Sequence, residues 1–179
     1  TNWDRYGDVF LTALGQTVYM VTWTMLLGGL IGLIIGIGLY VTRRGNLQGN
    51  RGVFIGLNAL VNIVRPIPFL IFVTAIYPLT NLVVGKTIGT EPATFAMIIM
   101  ATFAFSRLVE QNLVALDPGV IEAARAMGAG PLRIIATVLV PEALAPLILG
   151  YTFLFVGVID MSAVVGAIGG GGIGAFALD

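Results

Sequence analysis

Between Asp8 and Arg43 the chain carries no charged residue. The centre of that interval, VYMVTWTMLLGGLIGLIIGIGLYV, is apolar on every face of a helix, and no water-soluble surface can be drawn on it. About 20 such residues cross a hydrocarbon core of about 30 Å, so this segment reads as a first membrane span. Tyr19 and Tyr40 would stand about 31 Å apart in it, the spacing of aromatic anchors at two interfaces. The interval is too long for a cleaved signal peptide and lacks a basic flank on its N-terminal side. Composition agrees: 58% of residues are hydrophobic and 10% charged, against about 25% charged in soluble domains. The absence of His and Cys excludes thiolate and imidazole chemistry, disulfides and the usual zinc sites. No basic run is long enough to suggest nucleic acid.

The expected fold class is therefore an all-α integral membrane protein. Arg43, Arg44 and Arg51 form the densest basic cluster, which places that loop in the cytoplasm and the N-terminus, residues 1–10, outside. Residues 53–64 are too few to span and read as a helix at or entering the inner face. The uncharged stretch 66–85 reads as span two, kinked by Pro78. PATFAMIIMATFAFS reads as span three, with Arg107 and Glu110 at its inner end, and ALAPLILGYTFLFVGVI as span four, closed by Asp160. A run of glycines at 169–172 then precludes a continuous helix.

Gly28, Gly32 and Gly36 recur on one face of span one, where small residues let helices approach in a solvent that supplies no hydrophobic drive between them. That is a packing signal and assigns no chemistry. Gly85-Lys86-Thr87 lacks the first glycine and the strand of a phosphate-binding loop, the Gly169–Gly174 run lacks a βαβ unit, and neither Ser106 nor Ser162 lies in a hydrolase setting. Asp160, followed by Met161 and Ser162, has two readings: an interfacial group that snorkels, or an acid on a substrate path able to meet an α-amino group. Arg65 and Arg107, at span ends, read as snorkelling side chains.

The one long polar stretch, residues 110–141, is more informative. Asp117 and Pro118 form an N-cap and first-turn pair, Gly128 suits a left-handed helix terminus, and Pro131 can start another helix. The first short helix carries Glu122, Ala123, Ala124 and Arg125, small residues flanked by charge. On pattern alone it reads equally as a handle for a partner or as an unpartnered surface helix.

The stretch EAARAMGAGPLRIIATVLVP resembles the cytoplasmic loop of ABC importer permeases: Glu122-Ala123-Ala124, three residues, Gly128, nine residues, Val138, any residue, Val140, Pro141. Within that family the chain most resembles permeases of methionine importers, over nearly all of residues 11–178. The likeness is sharpest in IVRPIPFLIFVTAIYPLTNLVVGKTIGT, FSRLVEQNLVALDPGVIEAARAMGAGPLRII and MSAVVGAIGGGGIGAFAL. The resemblance implies the type-1 importer transmembrane fold over residues 11–179, in a bacterial inner membrane. It implies a fifth span after the glycines, beyond this sequence. It also implies two copies of the chain, two cytoplasmic ATPase subunits that bind ATP and magnesium, an external or lipid-anchored binding protein, and methionine, L or D, as substrate. The chain itself would hold no cofactor, no metal and no catalytic residue. Glu122 to Gly128, with Pro141, would couple to the ATPase; Asp160, Met161 and Ser162 would border the substrate path. Pro66, Asp160 and Met161 depart from that family's pattern. Other readings are a permease for another small amino acid or related solute, a non-transporting membrane subunit or channel, and a membrane-embedded enzyme.

Overall fold

The computed structural model describes residues 2–178, with side chains from Tyr6 to Leu178. The described residues are helical, with no strand among them. Helix α1 (Asn2–Trp23) passes through a wide π turn (Thr24–Gly28) into α2 (Gly29–Thr42), giving an apolar rod of 37 residues from Tyr6 to Thr42. Residues 2–10 form the opening turns of this helix, and Thr1 lies outside the described residues.

A loop leads to α3 (Arg51–Val64), whose first amides are capped by Asn50: its Oδ1 accepts from the N–H groups of Gly52 and Val53 at 3.1 and 3.2 Å. Pro66 and Pro68 end it, and α4 (Phe69–Ala75) leaves at an angle of 109°. A second break at Ile76 precedes α5 (Tyr77–Val84). The stretch 66–85 is therefore not the single span expected from its hydropathy. Each proline withholds an amide and crowds the carbonyl four residues back, and Pro78 sits in the first turn of α5, where those costs vanish. The membrane-crossing candidate in this region is α3 with α4, a bent pair.

Helix α6 (Thr90–Val114) is the hub. It packs on α1 to α5 and on the later helix Leu144–Val165, and buries residues on all sides, including Met97, Ala101, Phe105, Val109 and Leu113. The glycines of the first rod lie against it. A Cβ on Gly28 would stand 2.9 Å from Ala101 Cβ, on Gly32 2.8 Å from the Thr102 carbonyl, and on Gly36 2.5 Å from Val109 Cβ. Two helices buried in lipid gain little from the hydrophobic effect, so their attraction comes from dispersion at close range, and these absent side chains set that range.

The chain continues through α7 (Pro118–Ala126), α8 (Pro131–Ile134), a second π turn (Ile135–Leu139) and α9 (Val140–Glu142) into α10 (Leu144–Val165). Helix α10 does not end at Asp160, as span four was expected to, but continues through Met161 and Ser162. Its tie to the first rod is Tyr151, whose hydroxyl donates to the Met25 carbonyl at 2.8 Å while its ring covers Gly29. A third π turn (Gly166–Gly170) then breaks at Ile168 and Gly169, where the expected loss of helix occurs. Gly171 and Gly172 hold φ of 77° and 79°, a region that L side chains avoid. The chain folds back as α11 (Gly172–Phe176), and α1 caps it: Gln16 Oε1 accepts from Gly172 N–H at 2.7 Å and Thr17 Oγ1 from Ile173 N–H at 2.9 Å.

Candidate coupling surface and the polar cluster behind it

The exposed elbow between α6 and α10 is built by three local rules. Asp117 Oδ1 accepts from Gly119 N–H at 2.9 Å, closing the N-terminus of α7 with Pro118 in its first turn. At the other end Gly128 takes φ +80°, so that Gly128 N–H reaches the Arg125 carbonyl at 2.9 Å and Ala129 N–H reaches the Ala124 carbonyl at 3.1 Å. This is the left-handed terminus that glycine permits. Gly130 and Pro131 then restart the chain as α8.

One side of α7 faces inward: Ile121 and Ala124 are buried against the rest of the chain. Ala124 is therefore a packing residue of this chain, and only Ala123 of the alanine pair offers a small exposed surface. Glu122 and Arg125 are exposed and line a recess toward the α2–α3 loop. The outermost apolar groups are Met127 and Leu132, 82% and 78% exposed, on either side of the Gly128 turn. Pro141 is exposed at the start of α9, after the π turn that returns the chain toward α10.

Behind the elbow lies a charged cluster that the sequence pattern did not reveal. Glu110 is 3% exposed. Its carboxylate pairs with Arg107 one turn earlier on α6 and stands 3.8 Å from the Arg43 guanidinium at the end of α2. Arg107 also donates to Asn58 Oδ1 at 2.9 Å and to Asn62 Oδ1, both on α3. Arg43 lies in turn over the Phe54 ring, 5.9 Å from its centroid. Arg107 therefore does not snorkel to headgroups, as its position at a span end suggested; it joins α3 to α6. The signal that could have found this was spacing: Asn58 and Asn62 share a face of an otherwise apolar helix, and Arg107 and Glu110 share a face of α6.

The three residues assigned to a substrate path do not point one way. Ser162 is buried and its hydroxyl donates to the Ile159 carbonyl at 2.6 Å. Met161 is half-buried, and Asp160 is exposed with no ion-pair partner within 4.0 Å among the described residues. It ends an exposed apolar stripe on α10 that includes Leu149, Phe153 and Val156. Among the described residues no three His, Cys, Asp or Glu side chains gather where a metal could be held.

Comparison with known proteins gives one consistent result. A "Probable D-methionine transport system permease protein MetI" of Vibrio cholerae serotype O1 is 41% identical over 172 residues, 96% of this chain and 76% of that protein. The "D-methionine transport system permease protein MetI" of Escherichia coli K12 is 39% identical over 151 residues, 84% of this chain and 70% of that one. Among solved structures, the MetNI methionine ABC transporter in an inward-facing conformation superposes with a TM-score of 0.90 at 37% identity, covering 94% of this chain and 78% of that one. Residues 28–179 match the family described as "Binding-protein-dependent transport system inner membrane component". With three long apolar helices, a bent fourth pair and this match, the chain belongs to the inner-membrane permease family of binding-protein-dependent ABC transporters.

Proposed function

We propose that the chain is the permease subunit of an ATP-driven importer for methionine, L or D, working as two copies with two cytoplasmic ATPase subunits and an external or lipid-anchored binding protein. The substrate is that of the relatives and of the superposed transporter. The observation that carries the coupling role is the elbow: a short capped helix ending at a left-handed Gly128 and presenting Met127 and Leu132 outward. An exposed apolar pair on a polar turn suits a partner's cleft. ATP and magnesium are held by that partner. Closure of the ATPase pair then moves the elbow, and the spans with it, because a partner shifts a two-state equilibrium only through a difference in affinity for the two states. The basic loop carrying Arg43 and Arg44 faces the cytoplasm, as does the elbow, and the N-terminus lies outside.

Gly128 gives the direct test. A Cβ there meets nothing within 4 Å, so a side chain fits in space and only the torsion resists it, at about 1–2 kcal/mol. Gly128→Val is expected to insert normally and to lose methionine uptake by more than about tenfold, a change equal to about 1.4 kcal/mol in the coupled equilibrium. Gly128→Asn, which tolerates the left-handed region, retains most of it. Normal uptake by Gly128→Val would remove the elbow from the mechanism.

Asp160 adds a substrate contact to the same reading. Exposed at the end of an apolar stripe, its carboxylate can pair with the α-amino group of an amino acid, with the half-buried Met161 beside that path and the buried Ser162 turned away from it. Asp160→Asn at equal protein level is expected to raise the substrate concentration for half-maximal uptake by about fivefold to tenfold, one charge-assisted hydrogen bond. Unchanged uptake kinetics would dismiss the contact.

A further inference from the structure

The recess between the α2–α3 loop and α7 contains more positive charge than the chain neutralises. Its wall includes Tyr40, Arg43, Arg44, Asn46, Glu122 and Arg125. Three arginines face one glutamate there. The buried Arg107–Glu110 pair behind the wall cancels within itself, so a surplus of two positive charges remains. Arg44 and Arg125 make no ion pair within 4.0 Å and no side-chain hydrogen bond among the described residues.

The wall is also held in place before any ligand arrives. Asn46 Nδ2 donates to the Tyr40 carbonyl at 2.8 Å, and Gln48 N–H and Asn50 N–H return to the Val41 and Thr42 carbonyls at 3.1 Å, so the loop is folded back onto the end of α2. Arg43 is clamped between the Phe54 ring and Glu110. A held cation, Arg43, thus stands beside two freer ones, Arg44 and Arg125.

We infer that this recess binds a phosphate anion, supplied by the headgroup of an anionic phospholipid. The choice of a lipid follows from where the recess opens. It lies where the apolar rod of α1 and α2 ends, and its wall includes Val114, which is 47% exposed, so a headgroup among the arginines leaves its glycerol and chains beside apolar surface. Basic pockets of this kind between membrane helices on the cytoplasmic side hold anionic headgroups. The inference rests on the orientation proposed above, but its readout needs no transport. Because the recess has one wall on the span and the other on α7, a bound headgroup would tie the elbow to the membrane.

The test is native mass spectrometry of the full chain in detergent, titrated with phosphatidylglycerol or with phosphatidylcholine. Wild type is expected to retain phosphatidylglycerol in preference. Arg44→Gln with Arg125→Gln should bind it about thirtyfold more weakly, about fivefold for each arginine near an anionic headgroup. Arg51→Gln with Arg65→Gln removes the same charge from exposed positions outside the recess and should leave binding within about twofold. Equal retention by wild type and the recess variant overturns the site, and an equal loss in the control variant shows only diffuse attraction and overturns it too. Displacement of the lipid by millimolar inorganic phosphate would replace the lipid with a free anion and overturn the headgroup assignment.

Discussion

Helices α6 and α10 have similar length and are both apolar enough to cross a membrane, yet 61% of the most apolar stretch of α6 is buried within the chain and only 28% of that of the span that α10 begins. The difference does not come from hydropathy. Helix α6 meets glycines at Gly28, Gly32 and Gly36 and a polar clamp at Arg107, both of which act at short range and without help from water. Helix α10 is tied to the first rod through Tyr151 and to α6 through Asn112, whose Nδ2 donates to the Pro146 carbonyl at 3.2 Å, and it displays Leu149, Phe153 and Val156 on its other side. One helix is fixed by its own chain; the other keeps a face for its surroundings. For a permease that must change shape, this separates a pair of spans packed closely on each other from a span whose outer face its own chain leaves uncovered.

The most damaging way to break the closely packed side is to orphan its buried charge. Arg107→Met leaves Glu110, nearly inaccessible, with only Arg43 nearby at 3.8 Å, and also frees Asn58 and Asn62 on α3. Loss of one partner from a buried pair costs about 3–5 kcal/mol. The variant should lose most folded protein on heating in mild detergent, at temperatures that wild type withstands. Arg107→Met combined with Glu110→Met should recover a large part, because no uncompensated charge remains. Failure of Arg107→Met to destabilise would mean that the cluster is not the clamp between α3 and α6.

The next largest effect tests the glycine seam. At Gly36 an added Cβ would meet Val109 Cβ at 2.5 Å and the Ser106 carbonyl at 2.6 Å, and the second of these is backbone, which a rotamer change cannot relieve. Gly36→Leu should force the helices apart and cost about 1–3 kcal/mol. Gly38→Leu, two residues away, is the control: its Cβ would meet only the end of Leu57 at 3.6 Å. The same thermal assay should separate the two, and equal tolerance would show that the seam has slack.

The glycine spacing, the helix caps at Asp117 and Gly128, and the break at the final glycines were legible because each is a local rule with one strong residue type behind it. The four-residue repeat of glycine carries its own contact geometry, and a left-handed terminus has few occupants other than glycine. What escaped was set by distance along the chain. Nothing near Arg107 in sequence announces Asn58 and Asn62, so an arginine at a span end reads as snorkelling even with Glu110 three residues on. The stretch 66–85 misled for a different reason: its hydropathy averages over Pro66, Pro68 and Pro78, whereas each proline acts at one peptide unit. A charge in an apolar run reads as a span boundary, which puts Asp160 at a helix end, yet α10 runs on past it.

Truncations on the exposed face of α10 should have the least effect, provided that face is uncovered in the isolated chain. Phe153 is 68% accessible and Val156 62%. In an apolar solvent, truncating a side chain that touches only lipid or detergent exchanges one apolar contact for another. Phe153→Ala and Val156→Ala should therefore each change the thermal stability of the detergent-solubilised chain by less than about 0.5 kcal/mol, as surface substitutions do. Buried truncations of the same type cost several times more, about 3–5 kcal/mol for Phe→Ala. A loss of that size at Phe153 would show that the stripe is already covered in the purified protein, and a second copy of the chain would be the first covering to test by cross-linking. A negligible loss leaves α10 as the span whose outer face is fixed by nothing in its own chain, and hence the span most easily displaced when the elbow is pulled.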